Sequence, residues 1–161
     1  MQDKNLELKH LKKTTDYYYE HPDASVLETF PNPFADSDKN PNKVMGSVHI
    51  EAPEFTSLCP ITGQPDFATI VIDYIPAARC IESKALKLYL GRFRQTPEFH
   101  ESCVNRIAND LISVLSPNYL KVEGRFTPRG GIPFWPTAEY FGSSEVESKL
   151  AQRRCSRRIY G

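Results

Sequence analysis

The run Asp66-Phe67-Ala68-Thr69-Ile70-Val71-Ile72-Asp73-Tyr74-Ile75 constrains this chain more than any other segment. Its β-branched and aromatic side chains pack well on a pleated surface, so it predicts a strand. A strand needs partners. From Lys43 to Ile50 the apolar residues Val44, Val48 and Ile50 recur at even spacing, broken at Gly46, which predicts a half-buried strand that Pro53 disturbs or ends. Tyr119 to Thr127 sets Leu120, Val122 and Phe126 on one side and Lys121, Glu123 and Arg125 on the other, a third strand. A shorter fourth follows from Ile132, interrupted by Pro133 and Pro136.

Between the second and third of these strands the period changes. Leu86, Leu90 and Phe93 fall at i, i+4 and i+7 and predict one helix. A second is read from Thr96 as cap, Pro97 in the first turn, and a stripe of Phe99, Cys103, Ile107, Leu111 and Leu115, with Ser116-Pro117 ending it. The fold class is α+β: a four-stranded antiparallel sheet with two helices on one face. Such a sheet has open edges, which side-by-side association of subunits into a closed barrel would remove.

A chain of 161 residues, 40% hydrophobic, buries one core of ordinary size. We expect an adaptable N-terminal arm over 1–42, where Tyr17-Tyr18-Tyr19 and four prolines precede the first strand, holding a short helix and then irregular chain. The catalytic domain is expected over 43–141, and a polar tail bearing Arg153, Arg154, Arg157 and Arg158 over 142–161.

Twenty basic residues balance twenty acidic ones, so no net field would draw the molecule to nucleic acid or an anionic membrane. The longest apolar runs are far short of the ~20 residues that span a bilayer, and the N-terminus lacks an apolar signal core. A cytoplasmic location is expected. Cys59, Cys80, Cys103 and Cys155 form no CxxC pair and no dense framework, which suits a reducing compartment.

Cysteine is the most reactive neutral-pH nucleophile once its pKa falls from the free value of about 8.5 or a base takes its proton. Cys59 lies in the punctuated segment from Glu54 to Pro65, and Asp66 stands seven positions on, so a thiol and a carboxyl group could face one electrophile. On spacing alone, a packing cysteine and a strand-initiating aspartate explain the pair better. His100-Glu101 sits in the first turn of the second helix, where acidic residues are common for dipole reasons. Glu82-Ser83-Lys84 opens the first helix, offering N–H groups and a cation to a phosphate or carbonyl, although a solvated helix start is the simpler reading. Arg129-Gly130-Gly131 is either a plain hairpin turn or a close backbone approach to a ligand with a cation for phosphate. Cys80, Cys103 and His100 raise a zinc question, but Cys103 falls on the apolar stripe, and no metal is expected.

Taken together, Glu54-Phe55-Thr56-Ser57-Leu58-Cys59-Pro60, Gln64-Pro65-Asp66-Phe67, Glu82 to Tyr89, Phe99-His100-Glu101 and Phe126-Thr127-Pro128-Arg129-Gly130-Gly131 resemble the single-module QueF nitrile reductases of the queuosine pathway. The resemblance covers roughly 43–135 and reverses the bland readings. It implies the tunnelling fold, shared with GTP cyclohydrolase I, in which sheets join into a barrel, here as a decamer of two stacked pentamers with interfacial active sites. It implies NADPH-dependent reduction of the nitrile of 7-cyano-7-deazaguanine to the amine, two NADPH per turnover. Cys59 matches the thioimide-forming cysteine and Asp66 the proton donor. Ile81, Glu82, Ser83, His100 and Glu101 match substrate contacts, Glu101 being the reader of the deazaguanine ring. Ser83, Lys84, Arg129 and Gly130 match cofactor positions. Any link to tRNA would be indirect, through the product.

Two other readings stand beside it. One is a GTP cyclohydrolase-like enzyme on the same fold, which would need zinc and a purine triphosphate. The other is a non-catalytic deazapurine or pterin binding module, which would have no need of Cys59 and Asp66 together. After Gly131 the chain departs from the family pattern, running Ile132-Pro133-Phe134-Trp135-Pro136, and the arginine-bearing tail has no counterpart.

Overall fold

The computed structural model describes residues 16–36 and 38–142. Cys155 and the arginine-bearing tail from 143 onward lie outside the described residues. The elements run β1 (Thr29–Pro31), β2 (Val48–Leu58), β3 (Pro65–Ile75), β4 (Arg79–Ile81), α1 (Ser83–Gly91), a 3-10 turn (Arg92–Gln95), α2 (His100–Leu115), β5 (Tyr119–Arg129), β6 (Ile132–Phe134) and β7 (Thr137–Phe141). The class is α+β, as the change of period implies. No described helix is long and apolar enough to cross a membrane.

The strand predicted over 66–75 is the middle of the main sheet, flanked antiparallel by β2 and β5. That sheet has five strands rather than the four expected. β5 is 11 residues long and pairs with β6 at its C-terminal end and with β7 along its first half. Pro133 sits within β6, and Pro136 precedes β7, so the interruption read from these prolines separates two short strands rather than weakening one. A separate pair, β1 with β4, joins the segment before Lys43 to the body of the molecule.

Three boundaries differ from the sequence reading for identifiable reasons. β2 begins at Val48 and runs through Pro53 to Leu58. The proline is accommodated by a register shift between Ala52 and Phe55, where β2 has no strand on its other side and a missing N–H costs no ladder bond. The loop bearing Cys59 is thereby shortened to Cys59–Gln64. α2 starts at His100, not at Thr96, because the Leu58 N–H donates to the Thr96 carbonyl at 3.1 Å and the Glu98 N–H to the Leu58 carbonyl at 3.0 Å. Strand-like pairing thus claims the backbone that the cap and Pro97 were expected to put in a helix, and it leaves Phe99 outside the core, 56% exposed.

The rest of the stripe behaves as predicted: Cys103, Ile107, Leu111 and Leu115 are buried with Val104 against the core face of the sheet. That face carries Phe55, Ala68, Ile70, Ile72, Tyr74, Leu120, Val122 and Phe126. Leu86, Leu90 and Phe93 join from the first helix and its 3-10 extension, and Val26 and Leu27 from the segment before β1. The opposite face is charged: Lys121 pairs with Glu123 at 3.2 Å, and His49 with Asp73 at 2.7 Å.

Gly124 lets α2 settle on β5. A Cβ there would stand 2.8 Å from Val104 Cγ2 and 2.7 Å from the Phe126 ring. Gly124→Ala is therefore expected to cost about 1–3 kcal/mol through overpacking, read as a lower midpoint in urea denaturation.

Candidate active site

The hairpin between β2 and β3 ends with Leu58 opposite Pro65, and the turn Cys59–Gln64 closes it. The Cys59 N–H donates to the Gln64 carbonyl at 2.8 Å and the Gly63 N–H to the Cys59 carbonyl at 2.9 Å. Gly63 has φ 68°, a left-handed conformation that glycine adopts without strain. The turn holds Cys59 at the rim of the sheet, nearly buried. The polar groups of Thr62, the Ile61 N–H and the Arg129 guanidinium beside its sulfur favour the thiolate and bring its pKa down to about 6. Cys59 is thus substantially thiolate at neutral pH. Burial instead pushes Cys80 up and Cys103 up to about 12, so these two are packing thiols.

Asp66 is the second residue of β3, across the ladder from Ser57, and only 4% exposed. Arg129, the last residue of β5, holds its Oδ1, while His100 Nε2 lies 3.2 Å from its Oδ2. The His100 ring stacks on Phe126, with centroids 3.7 Å apart and planes within 9°. Burial lowers the His100 pKa, opposed by the charge of Glu101. Glu101 occupies the first turn of α2 with its side chain exposed. Four elements therefore bring Cys59, Asp66, His100, Glu101 and Arg129 to one end of the sheet: a nucleophile, a carboxyl group held from both sides, and a second carboxylate open to a ligand.

Ile81, Glu82, Ser83 and Lys84 do not join them within one chain. The Ile81 N–H donates to the Tyr74 hydroxyl at 3.1 Å. Tyr74 and Asp66 are eight positions apart on β3, about 27 Å at ~3.4 Å per residue. Ile81 and Ser83 instead line a cavity of about 490 Å³ with Val48, Ile50, Leu86 and Arg94. The N–H groups at the start of α1, expected to receive a phosphate or carbonyl, are taken by Glu82 itself. Its Oε1 accepts from Lys84 N at 2.9 Å and its Oε2 from Ala85 N at 2.7 Å. Burial opposes the Glu82 charge, yet these bonds leave its pKa below the usual carboxylate range. Glutamate is not among the residues preferred at a helix N-cap, so nothing local in the sequence pointed to that role.

Sequence reasoning missed Thr62, whose polar groups favour the Cys59 thiolate, and Phe126, which carries His100 and is read there only as a strand's apolar side. It also assigned Arg129 to the cofactor alone, whereas here it bonds Asp66 and stands beside Cys59. Cys80, Cys103 and His100, considered as zinc ligands, form no metal-holding group among the described residues.

A family profile described as QueF-like protein matches residues 65–145. The NADPH-dependent 7-cyano-7-deazaguanine reductase of Streptococcus thermophilus is 48% identical over 151 residues, covering 94% of this chain and 87% of that protein. The Bacillus subtilis protein of the same name is 50% identical over 141 residues, covering 87% of this chain and 80% of its own. The crystal structure of the archaeosine synthase QueF-Like in the apo form superposes with a TM-score of 0.56 at 21% identity, over 61% of this chain and 96% of its own, which shows a shared fold. This chain belongs to the QueF-like family, among the 7-cyano-7-deazaguanine reductases.

The sulfur environment predicts that alkylation of Cys59 by iodoacetamide rises with pH to a half-maximum near 6, while Cys80 and Cys103 stay unlabelled in folded protein. Peptide mass mapping across a pH series reads both outcomes.

Proposed function

We propose that this chain reduces the nitrile of 7-cyano-7-deazaguanine to the primary amine with NADPH, through a covalent thioimide on Cys59. The observation that carries the reading is the depressed Cys59 thiol beside the doubly held Asp66 at one end of the sheet. A nitrile carbon is a modest electrophile, and a preformed thiolate is the group that adds to it. Addition forms the C–S bond and moves a π pair onto nitrogen, which takes a proton from Asp66. Both Asp66 oxygens are engaged in the structure, so Asp66 takes up the proton that it delivers only once Arg129 has withdrawn. Arg129 can do so: its side chain is 47% exposed at the end of β5.

Its neighbours suit a phosphate. Gly130 and Gly131 have φ 57° and 80°, and no atom lies within 4 Å of where a Cβ would stand on either, leaving the turn's backbone open to a ligand. Arg129 and Gly130 would hold the cofactor there, with Lys84 and Ser83 supplying a second contact. Bound NADPH supplies hydride, and two equivalents with two protons balance the conversion of nitrile to amine. Between the two reductions the C–S bond breaks, the electron pair returns to the Cys59 sulfur, and an imine remains. Glu101 accepts paired N–H bonds from the guanine-like edge, and His100, fixed on Phe126, orients the ring.

The separation of Ser83 and Lys84 from Cys59 supports a site assembled from two copies, with the Ile81–Lys84 segment of one reaching the Cys59 end of the next. We place these contacts in a closed ring with the tunnelling fold, a decamer of two pentamers, acting in the cytoplasm, where Cys59 stays reduced. Within this reading residues 1–42 serve as an arm, 43–141 as the catalytic domain and 142–161 as a polar tail.

Mixing protein, nitrile and NADPH should give nitrile-dependent loss of the nicotinamide absorbance; none with folded protein refutes the activity. Without NADPH, mass spectrometry should find an adduct absent from Cys59→Ala, and an adduct surviving there moves the nucleophile elsewhere. Glu101→Leu is expected to weaken nitrile binding roughly 10- to 150-fold, the worth of a charged hydrogen bond, by calorimetric titration. Co-refolding inactive Cys59→Ala with inactive Lys84→Ala should restore turnover if two copies share a site, and sustained inactivity counts against sharing.

A further inference from the structure

Ser57 is fully buried, yet its hydroxyl oxygen has no hydrogen-bond partner among the described residues. A buried polar group without a partner lowers stability, so its retention calls for a reason. The register of the sheet supplies one. Ser57 lies opposite Asp66 in the β2–β3 ladder, two positions beyond the pair of Phe55 and Ala68, which face the core. The two-residue period of a strand therefore puts Ser57 and Asp66 on the same face. Side chains opposed in this way have Cβ atoms about 5 Å apart, a gap that a hydroxyl and a carboxyl group close by side-chain rotation. Cys103 is the other polar neighbour, from α2, and its thiol donates to the Glu98 carbonyl at 4.0 Å.

In the structure Asp66 has no need of the hydroxyl, because Arg129 holds its Oδ1 and His100 Nε2 lies 3.2 Å from its Oδ2. Once Arg129 withdraws, Oδ1 loses its donor at a position only 4% exposed. We propose that Ser57 is a positioning residue for this reaction: its hydroxyl takes the place of Arg129 at Asp66 Oδ1 and holds the carboxyl group through proton transfer. The proposal rests on Asp66 being the proton donor. A cation at that place opposes protonation of Asp66, and a neutral hydroxyl opposes it far less. In the transfer the Asp66 O–H bond breaks, an N–H bond forms on the former nitrile, and the electron pair stays on Oδ1, where the Ser57 O–H meets it. A hydrogen bond to a charged oxygen is stronger than one to a neutral acid. The contact therefore strengthens as the proton leaves, which lowers the barrier. Ser57 itself makes and breaks no covalent bond.

The test is the rate at which nitrile adds to Cys59 in the full chain without NADPH, followed by quenched mass spectrometry at saturating nitrile. Wild type, Ser57→Ala, Asp66→Asn and the double variant are compared. Ser57→Ala should slow adduct formation roughly 10-fold, the lower end of what a hydrogen bond to a charged group is worth. Nitrile affinity and the pH profile of Cys59 alkylation should not change. Asp66→Asn has no acidic proton to give and should be slower still, and adding Ser57→Ala should slow it no further. Deleting a hydroxyl without a partner should leave the urea midpoint of Ser57→Ala unchanged or raise it. A Ser57→Ala rate equal to wild type overturns the proposal. So does the same loss in the Asp66→Asn background, the mark of a structural role, and so does a lowered urea midpoint, which would show the hydroxyl bonded in the resting fold. Ser57→Gly gives the same comparison of rates should the alanine variant fail to fold. Adduct formation at the wild-type rate in Asp66→Asn removes the proton-donor reading and this assignment with it. A slow Asp66→Asn beside a fast Ser57→Ala removes this assignment alone.

Discussion

The antiparallel register between β2 and β3 is the constraint on which the rest depends. With Leu58 opposite Pro65 and Ser57 opposite Asp66, Cys59 becomes the first residue beyond the ladder and Asp66 is drawn under its edge. A slip of one residue would turn Asp66 from its buried position to the other face and invert the apolar alternation of Ala68, Ile70, Ile72 and Tyr74. The core therefore polices the geometry of the site: the burial that selects one register for β3 also selects one distance between thiol and carboxyl group.

The second organising contact is the hold on Asp66. A carboxyl group this buried requires partners, and it finds one on each side, Arg129 from the end of β5 and His100 from the start of α2. These ties join elements far apart in sequence, while Phe126 couples His100 to the core through ring stacking. Arg129 is the most exposed of the three, its side chain half in solvent beside an open glycine turn. A site in which one cation stands beside both the thiolate and the carboxyl group ties the charge of each to the other.

Much of the fold was legible because its signals are local. The run from Asp66 to Ile75, the alternation of Leu120, Val122 and Phe126, and the stripe from Cys103 to Leu115 each reflect a periodicity of one element against one core. The errors all lie where one segment's backbone found a partner in another. Pro53 is tolerated because β2 has no strand on its outer side there; Thr96 and Pro97 yield to Leu58; and β5 is long enough to carry two further strands.

By itself the sequence determined the α+β class, the central strand, the helical stripe and, through five motifs in order, the family, with Cys59, Asp66, His100 and Glu101 as its candidate site residues. Only the tertiary structure decided what surrounds them. Arg129 and His100 hold Asp66 from two sides, and Glu82 caps its own helix. It also set Ile81 to Lys84 far from Cys59 within one chain. The physical reason is that periodicity and motif report on residue type along one element, whereas hydrogen bonds and ion pairs depend on where the folded backbone delivers each side chain. Cys59 could be read as a candidate nucleophile only through the ordered motifs along the whole chain; that its thiolate is favoured follows from polar groups gathered in space.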